Sequence, residues 1–207
     1  MSKIDFKKEF IELYNPPKAF VVVNMPEMKF LMVDGHGDPN IAQDYQDALE
    51  ALYALAYKVK FISKASTGKD YVVPPLEGLW WAEDMDAFTV DRDKSSWDWT
   101  MMIMVPEWIT EEIFNHGVTQ VRKGKNPVAL DKIRLESYQE GLAVQIMHIG
   151  SYDDEAQVLE KMHREFIPQQ GYEVHGKHHE IYLSDPRRVP AEKLKTVLRQ
   201  PVKPTDK

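Results

Sequence analysis

The sequence predicts an α+β protein made of duplicated strand-helix-strand halves, with antiparallel sheets and helices around a central cleft. Three observations predict it. Apolar residues alternate in short runs bounded by turn residues, as half-buried strands require. Elsewhere they recur every three or four positions, as amphipathic helices require. The same order of elements then occurs twice, at about 18–106 and about 131–200, with a helix and connector at 107–130 between them.

In the first half, residues 18–24 and 29–34 read as a hairpin across Met25-Pro26-Glu27. Pro39 and Asn40 then start a helix whose Ile41, Tyr45, Ala48, Leu52, Leu55 and Val59 share one face. Strand signals return at 71–73, 75–82 and 97–105, the last ended by Pro106. The joining helix begins near Trp108 and fades in the turn-rich Gly124-Lys125-Asn126-Pro127. In the second half, 133–138 and 142–149 read as a hairpin across Gln139-Glu140-Gly141. Asp153 caps a helix carrying Val158, Leu159, Met162, Phe166 and Ile167 on one face, and Gly171 closes it. In each half a strand ends in a glycine turn just before the helix, Asp34-Gly35-His36-Gly37 in one and Ile149-Gly150-Ser151 in the other. A groove between two such halves is the natural place for a ligand.

The most informative segment is the strand that follows, Lys177-His178-His179-Glu180-Ile181-Tyr182-Leu183, stopped by Ser184-Asp185-Pro186. Side chains alternate along a strand, so His179, Ile181 and Leu183 share one side while His178, Glu180 and Tyr182 share the other. An acid beside a phenol can hold a cation, position a water or serve as acid and base. A solvated outer sheet face is the plainer reading of the same pattern. Trp81 and Trp99 stand near the middle of predicted strands, and an indole there can stack on a flat ligand, face a cation or simply fill the core. Only one of Trp80 and Trp81 can face the cleft, and Trp81 is the reading adopted. His175, His178, His179 and Glu180 invite a metal, but adjacent strand residues point to opposite faces and cannot chelate one ion, so no metal is expected. His178 is instead placed beside Glu180.

Composition narrows the function. At 207 residues and 43% hydrophobic, the chain can bury a core. A net charge of −7 without a basic block argues against direct nucleic-acid binding. The Arg187, Arg188, Lys193, Lys195 and Arg199 cluster reads as a solvated helix face, and the tail from residue 201 as frayed. With no cysteine, disulfides and thiolate sites are excluded. No apolar run spans a bilayer and no secretory leader opens the chain, so a cytoplasmic location without membrane attachment is expected. The glycines form no phosphate loop or dinucleotide fingerprint, and there is no Gly-x-Ser-x-Gly elbow, so no cofactor is expected. Five tryptophans and ten methionines suit an adaptable apolar pocket for a flat aromatic or cationic small molecule. No feature indicates a protein partner.

Residues 178–188, their continuation at 192–201, Glu77-Gly78-Leu79-Trp80-Trp81 and the stretch 140–152 together resemble the GyrI-like small-molecule-binding proteins. The resemblance implies a duplicated unit around a central cleft, with Glu180 inside it. Tyr152 occupies a turn similar to the family's Gly-Pro-Tyr, here with Ser151 in place of proline. Some stand-alone members of that family resemble this chain and hydrolyse DNA-alkylating cyclopropanoid natural products, which protects the cell. That likeness implies a hydrolase in which Trp81 and Trp99 hold the conjugated toxin, Glu180 activates water, and Tyr182 or Tyr152 stabilises charge on the carbonyl. Multidrug regulators also resemble this fold, and they imply a non-catalytic binder or sequestering protein. Those regulators carry a DNA-binding domain in front, for which the roughly seventeen residues before the first strand are too few. A third member type inhibits DNA gyrase, but no concentrated acidic run supports that role here.

Overall fold

One antiparallel sheet, closed on itself, organises the molecule. The computed structural model describes residues 3–82 and 94–205. Two short helices, α1 (Phe6–Glu9) and α2 (Ile11–Tyr14), precede β1 (Val21–His36) and the long α3 (Gln43–Thr67). There follow β2 (Leu76–Trp81), β3 (Asp98–Val105), α4 (Glu111–Lys123) and β4 (Arg134–Ile149). A helix made of α5 (Glu155–Lys161), a π turn (Met162–Phe166) and α6 (Ile167–Gln169) leads to β5 (Tyr172–Val174), β6 (His178–Tyr182) and β7 (Lys195–Pro204).

The strand order is β4-β1-β3-β2-β6-β7-β5, and an additional β4–β7 pairing closes all strands except β5 into a ring. Strands β1, β3 and β2 are contiguous, as are β4, β7 and β6, so the ring has two seams, β1–β4 and β2–β6. The α+β architecture with antiparallel strands agrees with the sequence. Among the described residues, no helix is long and apolar enough to cross a membrane.

Several local expectations are corrected. Neither predicted hairpin forms, because 21–36 and 134–149 are each a single strand and they pair with each other from Val21↔Gln145 to Met32↔Arg134. Pro26 removes a single ladder donor without turning the chain, since a two-residue hairpin needs the positive φ that Met25 and Glu27 lack. Helix α3 starts at Gln43, which leaves Ile41 exposed, and the expected strand at 71–73 is only an isolated bridge between Tyr71 and Ile4. The basic cluster is no helix face. Arg199 is buried in β7, whose Pro201 and Val202 are also buried, so the tail is ordered sheet through Pro204.

The ring has two apolar faces. Outside, Leu31, Val33, Met101, Ile103 and Val105 pack with Ala48, Leu52, Leu55 and Val59 of α3. Inside, Phe30, Met32, Leu79, Met102, Met104, Ala143, Met147, Ile181 and Val197 meet from every strand of the ring. Leu13 and Tyr14 of the N-terminal segment complete this inner cluster.

Trp99 shows how tightly the outer face is fitted. Its indole lies across the backbone of Gly35, its register partner on β1, and a Cβ there would fall 2.0 Å from the ring. Gly35→Ala should therefore displace Trp99 and cost about 2 kcal/mol or more. A urea titration is expected to show a lower midpoint with an unchanged slope.

Candidate functional site

The β2–β6 seam sets out the candidate site. Its register pairs Leu76 with Tyr182, Gly78 with Glu180 and Trp80 with His178, and directly opposed residues share a face. Glu180 therefore faces a glycine across the seam. The Trp80 indole folds back into the vacant space, with Nε1 only 2.7 Å from where a Gly78 Cβ would stand. From there it donates to Tyr182 Oη at 2.9 Å, and Tyr182 in turn donates to Glu180 Oε2 at 2.7 Å. His178 Nε2, fully buried, lies 3.5 Å from the other carboxylate oxygen.

Aromatic rings enclose this chain of donors. Tyr152 meets Tyr182 edge-on with centroids 5.9 Å apart, presented by a turn that Ser151 and Asp154 close as a capping box. Tyr45 of α3 lies tilted at 6.2 Å from Trp80. The Glu180 side chain keeps 13% of its surface exposed, so the site is enclosed yet reachable. Burial first, then the Glu180 charge, holds the Tyr182 phenol well above its ordinary range. Burial, with Glu155 and Glu180 behind it, pushes Tyr152 up to about 12. Both phenols are thus proton donors across the physiological range.

Of the residues singled out from sequence, Glu180, Tyr182, Tyr152 and His178 come together. Trp99 shares their side of the sheet but is fully buried, with Tyr45 edge-on at 5.3 Å. The orientation expected for the adjacent tryptophans is reversed. Trp80 stands with Glu180, while Trp81 packs with the inner cluster and carries Lys177 Nζ at 3.3 Å from its ring centre. A strand offers only one face to each residue of an adjacent pair, and the Gly78↔Glu180 register decides which. Tyr45, on the apolar face of α3, joins the wall beside Trp80, a role that helical spacing does not distinguish from core packing. Among the described residues, no cluster of histidine and acid side chains is arranged to hold a metal.

On the opposite face of the same two strands lies a buried ionic network that the sequence did not disclose. His179 Nε2 is 3.0 Å from Glu77 Oε2, and Nδ1 is 3.0 Å from Glu140 Oε1. With a carboxylate at each nitrogen, the doubly protonated imidazolium is the form that satisfies both contacts. Arg199 reaches Glu140 at 3.3 Å and donates from Nε to Gln145 at 3.0 Å. Burial opposes the charge on His179, but Glu140 and Glu77 outweigh it and hold its pKa above the ordinary imidazole value. Glu140 is held below the usual carboxylate range because His179 and Arg199 outweigh its burial.

The sequence matches the GyrI-like family, described as a GyrI-like small molecule binding domain, over residues 18–203. It is similar to an uncharacterized conserved protein from Listeria innocua, with 43% identity and a TM-score of 0.89, covering 97% of this chain and 100% of that one. A hydrolase from the same organism is 41% identical, with a TM-score of 0.87 and coverage of 98% of this chain and 100% of its own. The EcmrR C-terminal domain shares the fold, at 13% identity and a TM-score of 0.58, covering 90% of this chain and 98% of that one. No curated protein matches the chain.

The His179 network predicts a pH dependence of stability. A raised folded pKa stabilises the native state fully below the unfolded value near 6.5, and that stability is lost as pH rises through the folded value. As pH rises above about 6.5, wild type should lose stability more steeply than His179→Gln, as read from denaturant midpoints across pH. Parallel curves would show that His179 carries no linked proton.

Proposed function

We propose, for a chain that belongs to the GyrI-like family of small molecule binding domains, that the Glu180 site hydrolyses electrophilic cyclopropanoid compounds. The observation that carries this reading is the directed chain Trp80 to Tyr182 to Glu180, which fixes one carboxylate among aromatic rings at an enclosed position. The names of similar Listeria structures, called hydrolases at 41% and 40% identity, support turnover over passive binding.

In this reading the flat conjugated substrate lies against Trp80 and Tyr45. Glu180 accepts a proton from water as the water oxygen bonds to the strained ring carbon. The breaking carbon–carbon bond sends its electron pair through the conjugated system to the carbonyl oxygen, which takes up a proton. Tyr152 then stabilises that oxygen in this reading, because the Tyr182 proton is already directed at Glu180. Tyr182 acts by holding the carboxylate, Trp99 supports the wall from beneath, and His178 flanks Glu180 from the buried side. The setting is cytoplasmic, where destroying a DNA-alkylating drug would protect the cell. The same acid among indole and phenol rings would also suit an aromatic cation held without turnover.

Incubation with a duocarmycin-type cyclopropanoid, followed by mass spectrometry, separates these readings. Wild type should release water-added, ring-opened product over many turnovers. Glu180→Gln should lower the rate by about 100-fold or more, and Tyr182→Phe by about tenfold through a misplaced carboxylate. Full turnover by Glu180→Gln would remove the assigned base. Tight binding without product would make the protein a sequestering one for that class.

A further inference from the structure

The ionic network inside the ring occupies a small pit that the Glu180 site does not use. Leu13, Tyr14, Met25, Met28, Phe30 and Tyr138 line it with Glu77, Glu140, His179 and Arg199, leaving a cavity of about 10 Å³, room for about one water. The four ionised side chains are only 2–3% exposed. With His179 as an imidazolium, two cations balance two anions. Such a group adds little stability over apolar packing of the same volume, so its stability alone does not account for it.

Its outward-pointing groups are satisfied by the N-terminal segment. Tyr14 Oη donates to Glu77 Oε1 at 3.0 Å, Arg199 Nη2 donates to the Leu13 carbonyl at 2.8 Å, and Gln145 Nε2 donates to the Glu12 carbonyl at 2.7 Å. This cover is weakly built. Helices α1 and α2 have four residues each, far below the length that is stable alone, and are tied elsewhere by the Ile4–Tyr71 bridge and the Phe6 ring contacts. Methionines 25, 28, 32, 102, 104 and 147 in the inner cluster can adjust to an occupant of different shape.

We propose that Leu13 and Tyr14 act as an internal stopper in a second ligand site, and that this site takes neutral phenolic amides. The chemistry follows from the stopper's own contacts. A replacement must give a hydroxyl to Glu77 and a carbonyl oxygen to Arg199, and it must be uncharged because the four ionised groups already balance. The Leu13 carbonyl, the Tyr14 nitrogen, its two aliphatic carbons and its phenol are, atom for atom, an N-acyl tyramine.

N-acetyltyramine is the probe, with N-acetylphenethylamine as the same molecule lacking the hydroxyl. Calorimetry should show saturable millimolar binding to wild type, with faster hydrogen exchange over residues 4–16 as the stopper leaves. Tyr14→Ala, which empties the phenol slot, should bind about tenfold tighter or better, because the tethered side chain no longer competes. Tyr14→Phe keeps the ring but loses the Glu77 bond and should also gain affinity, which preserves the test if the alanine variant does not fold. The analogue without hydroxyl should bind about tenfold weaker to every variant, since it leaves Glu77 unpaired. Glu180→Gln should leave all these values unchanged. Equal affinity for both probes, binding confined to the Tyr14 variants, or loss of binding in Glu180→Gln would each overturn the proposal.

Discussion

The antiparallel register between β2 and β6 is the constraint on which the rest depends. It sets Gly78 against Glu180 on the helix-covered face and Leu79 against His179 inside the ring. A slip of one residue would exchange the faces, sending Glu180 into the lumen and the imidazolium among the outer aromatics. The missing side chain at Gly78 matters as much as the register. It gives the Trp80 indole the space to reach Tyr182, and so gives Glu180 a fixed orientation.

The two faces of this seam solve different electrostatic problems. Inside, charge is buried deeply and cancelled internally, with Glu77, His179, Glu140 and Arg199 drawn from β2, β6, β4 and β7. Outside, one carboxylate is left partly exposed beside hydroxyl and indole donors, where it can accept a proton or face a ligand. Adjacent residues of one five-residue strand, His179 and Glu180, thus serve opposite ends. The inner network also ties the N-terminal segment to both halves of the ring, through the Tyr14 hydroxyl on Glu77 of β2 and the Leu13 carbonyl on Arg199 of β7.

Strand alternation alone made much of the outer face legible. The common side of Glu180, Tyr182 and His178 follows from a period of two and needs no tertiary information. What sequence could not supply was pairing. Trp80 and Trp81 are equivalent until β2 is aligned with β6, and the helical spacing of Tyr45 reads the same for core as for a site wall. Strands β1 and β4 each read as a hairpin because proline at 26 and glycine at 141 are turn residues by composition, yet both sit inside continuous strands. The inner network was hidden for a related reason. Glu77, Glu140 and Arg199 lie far apart in the chain, and each passes for an ordinary surface charge until the ring closes.

In the proposed reading a small molecule binds on the Glu180 side of the seam, against Trp80. Ligand-induced quenching of tryptophan fluorescence, compared between Trp80→Phe and Trp81→Phe with the same cyclopropanoid, reports which indole it meets. Quenching should be lost in Trp80→Phe and retained in Trp81→Phe. The opposite pattern would place the ligand inside the ring and contradict the site described here.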